Sequence, residues 1–69
     1  MRKNRSGITP QDLSETKKIF DDNGWPLPQR YFRYSASLDK WELYRIQPNG
    51  TKTLLASMYD DVHWEWLGQ

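Results

Sequence analysis

The chain has 69 residues, of which 28% are charged, with a formal net charge of +1 and no cysteine. That length allows one domain, burying roughly 60% of its unfolded surface. The missing cysteine excludes disulfides and thiolate metal sites.

No apolar run is long enough for a signal peptide or a membrane span, so a cytoplasmic location and no membrane partner are expected. The net charge argues neither for nor against polyanion binding; its distribution says more. Residues 1–8 carry +3, residues 9–24 carry −2, residues 25–46 carry +2 and residues 47–69 carry −2. Four Trp, four Tyr and two Phe stand in for the staples that small domains often need. Each can bury about 150–250 Å².

Residues 1–8 form a basic arm with Arg2, Lys3 and Arg5. It reads as a solubilising tail or as a contact for nucleic acid or an acidic partner. Residues 9–69 read as a single small α+β domain.

The spacing predicts a helix over Pro10 to Asp22. Thr9 is a good N-cap, and Pro10 sits at the first helical position, where its missing N–H costs nothing. Asp12 favours the positive helix end. Ile8 and Leu13 are spaced as a hydrophobic staple. Asn23-Gly24 supplies a left-handed exit; if Gly24 closes a Schellman motif, Trp25 lies over Phe20. Leu13, Thr16, Ile19 and Phe20 make the apolar stripe. Asp21 and Asp22 oppose the dipole.

Trp25-Pro-Leu-Pro-Gln29 is expected to run extended to the first strand, because proline biases its predecessor away from helix. Packing by Trp25 and Leu27 is the main reading; a Pro-x-Pro ligand for an SH3 or WW domain is a weak second one.

Tyr31 to Met58 organises the rest. Successive strand side chains alternate faces. Phe32, Tyr34 and Ala36 share one face, with Tyr31, Arg33 and Ser35 opposite. Trp41 and Leu43 share a face; Glu42, Tyr44 and Ile46 share the other. A hairpin with Leu38-Asp39 at its tip sets Ala36 across from Trp41, Tyr34 from Leu43 and Phe32 from Arg45.

The turn at Gln47-Pro48-Asn49-Gly50-Thr51 admits two registers. A two-residue Asn-Gly turn puts Leu54, Ala56 and Met58 on the Trp41 face. A type I turn with Pro48 at its second position and a bulge at Gly50 puts Thr53, Leu55 and Ser57 there instead. The apolar pattern favours the first and Pro48 the second; the apolar pattern is preferred. Tyr59-Asp60-Asp61 reads as a turn. Residues 62–67 alternate as a fourth strand, with Val62, Trp64 and Trp66 on one face, and Gly68-Gln69 as a disordered end.

No motif marks an enzyme. His63 and Glu65 on one strand face make a two-ligand set at most, short of the three or four that zinc needs. No nucleophile motif flags any serine. No cofactor and no metal are expected. The size and aromatic-rich, cysteine-free makeup resembles that of many phage or plasmid accessory proteins, a likeness of composition with no family motif behind it. The helix-first order differs from arm-binding integrase domains, and the signature of RNA-recognition motifs is absent.

The expected architecture is α+β: one N-terminal helix on a three- to four-stranded antiparallel meander. Its expected core is Leu13, Phe20, Trp25, Phe32, Tyr34, Trp41, Leu43 and Trp64. One helix covers one face of a small sheet. The other face gathers Tyr31, Arg33, Tyr44, Arg45, Ile46 and Lys52, residue types that protein hot spots use. The expected function is therefore a non-enzymatic module that binds another protein. The alternative is nucleic-acid binding through Arg2, Lys3, Arg5, Arg30, Arg33 and Arg45. A homodimer through the same tyrosine patch is a third reading.

Overall fold

The computed structural model describes residues 7–58 and 63–67. Arg2, Lys3, Arg5, the expected turn at 59–61, Val62 and the last two residues lie outside the described residues. The architecture is α+β. Helix α1 (Pro10–Asn23) and a short 3-10 turn (Leu27–Gln29) precede four strands: β1 (Arg30–Ser35), β2 (Lys40–Ile46), β3 (Lys52–Met58) and β4 (Trp64–Trp66). The strands pair antiparallel in chain order, a simple meander.

Both ends of α1 follow from local chemistry. The Thr9 hydroxyl accepts the Asp12 N–H at 3.2 Å, and the Asp12 carboxylate accepts the Thr9 N–H at 2.9 Å. This reciprocal capping box satisfies two donors that a helix start would otherwise leave open. At the other end Gly24 takes the left-handed conformation, with φ of 71°. The Trp25 N–H reaches the Phe20 carbonyl at 2.9 Å and the Gly24 N–H reaches Asp21 at 3.2 Å. That is the Schellman pattern, and it seats the Trp25 ring edge-on against Phe20, centroids 5.5 Å apart.

The next segment departs from expectation. Pro26 is extended, but Leu27–Gln29 closes a 3-10 turn through the Gln29 N–H and the Pro26 carbonyl, 3.0 Å apart. Neither group is one that proline lacks, so Pro28 is accommodated inside the turn. The turn removes the extended geometry that a Pro-x-Pro ligand presents.

The first hairpin is looser than predicted. Tyr34 pairs with Trp41, Phe32 with Leu43 and Arg30 with Arg45, a two-residue shift from the expected register. The loop takes four residues, 36–39, with Asp39 at φ 53°. The Tyr34 hydroxyl donates to the Asp39 carboxylate and helps hold that conformation. A shift of two leaves every side chain on its predicted face.

In the second hairpin both registers occur. Gly50 donates to Gln47 at 2.8 Å and has φ of 89°, the type I turn and bulge that Pro48 favours. Tyr44 accordingly pairs with Leu54 and Arg45 with Thr53. The register then shifts between Leu43 and Tyr44, so that Leu43 pairs with Ala56 and Glu42 with Ser57. A bulge inserts one residue against its partner strand. Ala56 and Met58 therefore lie on the Trp41 face as expected, and Leu54 does not. Leu55 and Ala56 are both fully buried.

The core is Phe20, Leu43, Leu55, Ala56 and Met58, each at most 1% exposed. Ile19, Trp25, Phe32 and Trp64 pack around it. Tyr34 and Trp41 are half-buried and meet edge to face at 5.5 Å. Phe32 and Trp64 rings lie 5.8 Å apart although two strands separate theirs. Flat strands would set their backbones about 14 Å apart, so side chains from the two edge strands lean together across the helix side. Leu13 is not in the core; it is 41% exposed. Asp12, Thr16 and Phe20 take the inward positions instead.

Candidate functional site

The two faces of the sheet differ in chemistry. The helix side holds Phe32, Leu43, Ala56 and Trp66 in one cross-strand row. Arg30 and Arg45 belong to this side. Arg30 donates from one guanidinium nitrogen to the Leu13 carbonyl at 3.0 Å and to the Thr16 hydroxyl at 3.1 Å, and lies over the Phe32 ring. Partial burial there holds its pKa below the usual arginine value. Arg45 donates to the Gln29 side chain at 2.8 Å and lies 4.8 Å over the Trp25 ring, which also stacks with Trp66 at 6.4 Å. Both arginines clamp the helix and its exit segment to the sheet.

The opposite face carries Tyr31, Arg33, Ser35, Lys40, Glu42, Tyr44, Ile46, Lys52 and Leu54 by strand alternation and register. Its middle row is Tyr31–Tyr44–Leu54. Arg33 and Glu42 lie above that row, and Ile46 and Lys52 below it. The Tyr31 and Tyr44 rings meet at 6.1 Å and an interplanar angle of 63°, an edge-to-face pair. Lys52 reaches across the middle strand, its ammonium 5.3 Å from the centre of the Tyr31 ring.

A polar relay fixes Tyr44. Its hydroxyl donates to the Glu42 carboxylate at 3.0 Å and accepts from Arg33 at 3.5 Å. Arg33 and Glu42 are 3.8 Å apart. The hydrogen bond to Tyr44, then the electrostatic pull of Tyr44 and Glu42, hold the Arg33 pKa above its usual value. Glu42 is only 8% exposed, whereas the Arg33 side chain is 60% exposed. Tyr31 is exposed and Tyr44, Ile46 and Leu54 are half-buried.

Of the six residues expected to share a binding face, the structure brings together Tyr31, Arg33, Tyr44, Ile46 and Lys52. Arg45 lies on the opposite side, as its parity with Trp41 and Leu43 requires. Leu54 joins the face because the register next to the turn obeys Pro48. Of the arginines in the nucleic-acid reading, Arg33 is on this face, Arg30 and Arg45 are not, and Arg2 and Arg5, with Lys3, lie outside the described residues.

Among the described residues the face carries two tyrosines and no third ring, short of an aromatic cage. No group of three or more metal-ligating side chains occurs among the described residues, and no helix among them is long and apolar enough to cross a membrane. Comparison with protein-family models, with curated proteins and with solved structures finds no match.

Proposed function

We propose that this is a non-enzymatic binding module that contacts another protein through the open sheet face. One observation carries the reading: the helix covers one side of the sheet, and the other presents a fixed aromatic and aliphatic row, Tyr31–Tyr44–Leu54, with Ile46 beside it. The Arg33–Tyr44–Glu42 relay holds the central ring in place, so little side-chain freedom is lost when a partner docks. Tyrosine and arginine at the centre of such a patch are what protein hot spots are made from. A cytoplasmic setting and an accessory role of the phage or plasmid kind belong to the same proposal, on cysteine-free, compact composition alone.

Nucleic-acid binding is the rival. Its described arginines are divided between the two sides of the sheet, and Arg30 and Arg45 on the helix side are engaged with the helix and its exit segment.

The test uses Tyr44→Ala and Arg33→Ala variants whose circular dichroism matches the parent. A protein captured from extract by the parent and lost by both variants supports the reading. Equal capture by all three refutes it. A parallel titration with single-stranded and duplex oligonucleotides addresses the rival: affinity that falls steeply with salt marks phosphate contacts. Sedimentation shows whether the captured partner is a second copy of the chain.

A further inference from the structure

We propose that the open face takes an acidic segment of a partner protein, with an apolar side chain of that segment set among Tyr31, Tyr44, Ile46 and Leu54 and its carboxylates on Lys52 and Arg33. This rests on the protein-binding reading above and names the chemistry of the partner.

The charges on the face are unequal in availability. Among the described residues its cations are Arg33, Lys40 and Lys52, and its anions are Glu42 and, on β4, Glu65 opposite Ser57. Glu42 is nearly buried and already accepts the Tyr44 hydroxyl beside Arg33. Glu65 is three strands away from β1, beyond the aromatic row. Lys52 is exposed and has no carboxylate within ion-pair distance among the described residues; its ammonium rests on the Tyr31 ring instead. Over β1, β2 and β3 an approaching partner therefore meets positive charge around an apolar row. A basic segment would be repelled there, and a neutral one would gain nothing from Lys52 and Arg33.

The ring geometry favours a protein segment over a nucleic acid as the acidic partner. Stacked bases need open, parallel ring faces. Here the two tyrosines stand edge to face, and one face of Tyr31 is taken by Lys52. An aliphatic side chain can pack against the edges of such a pair, and a carboxylate can draw the Lys52 ammonium off the ring.

The experiment is selection of a displayed random-peptide library on the full chain, with Tyr44→Ala and Lys52→Glu as counter-targets, both checked for folding by circular dichroism. The expected result is enrichment of peptides that join Asp or Glu to Leu, Ile or Phe. Their affinity should fall on the order of tenfold on Lys52→Glu and recover when the peptide acid is exchanged for lysine, as for a directly paired charge. Enriched peptides that are neutral or basic, yet lost on Tyr44→Ala, overturn the acidic partner and leave the protein-binding face standing. No enrichment, or peptides that bind Tyr44→Ala as well as the parent, overturns both. Oligothymidylate binding that is steeply salt-dependent and lost on Lys52→Glu assigns the cations to phosphate and overturns the proposal.

Discussion

Asp12 joins the first turn of the helix to the last strand. It is 1% exposed. One carboxylate oxygen takes the Thr9 N–H at 2.9 Å, and the other takes the Trp64 indole N–H at 3.2 Å, across 52 residues of chain. Asp12→Ala removes both acceptors. Loss of the capping bond costs about 1 kcal/mol. Loss of the indole bond costs about 1.5 kcal/mol, the low end for a charged acceptor because the bond is long, and it leaves a half-buried donor unpaired. The total comes to about 2–4 kcal/mol, against about 3–10 kcal/mol for a whole domain of this size. The melting temperature should fall by about 10–30 °C.

A double-mutant cycle isolates the long-range bond. Asp12→Ala, Trp64→Phe and the double variant are unfolded in urea, with the remaining tryptophans as the signal. The expected coupling is about 1–2 kcal/mol. Coupling below about 0.3 kcal/mol would mean that Asp12 stabilises only its own helix turn, and the account of how the helix is fixed on one side of the sheet would be wrong.

Leu55→Ala should cost about 2–5 kcal/mol as a fully buried truncation, and Leu54→Ala about 1 kcal/mol or less. Thermal melts of the pair that reversed this order would displace the bulge. Gly24→Ala meets no atom within 4 Å of the added Cβ, so its cost is the left-handed backbone alone, about 1 kcal/mol. Gly24→Asn should recover part of that in the same urea titration, because asparagine tolerates this conformation better.

The helix was readable because its signals are local. As caps, Thr9, Pro10, Asp12 and Gly24 each work within one turn of themselves. The structure extends the expected span by one residue, to Asn23. The inward face was harder. A stripe drawn through apolar residues puts Leu13 inside, whereas the helix turns Asp12 and Thr16 inward. Their partners are Trp64 and Arg30, on other elements, and no rule confined to one helix can see them. The same blindness affected Arg30 and Arg45. As residue types they suggest a basic surface; as positions they share parity with Phe32 and with Leu43, and parity decides the side of the sheet.

β3 shows what happens when two valid signals disagree. Pro48 demands the bulged type I turn, and the alternation of Ala56 and Met58 demands the other register. Each is obeyed where it acts: the turn sets Thr53 and Leu54, and the apolar pattern sets Ala56 to Met58. The bulge between Leu43 and Tyr44 is the one-residue correction that lets both hold. Its cost is a local break in the ladder. Its effect is to bury Leu55 and Ala56 in succession, which no regular strand does on one face, and to release Leu54 to the open side. Without the bulge, the register preferred from the apolar pattern would carry Leu54 inward and set Leu55, now in the core, opposite Tyr44 on the open side. Which leucine of β3 joins the proposed binding face therefore depends on an irregularity that neither the turn nor the strand pattern predicts alone, and that follows once both are required to be right.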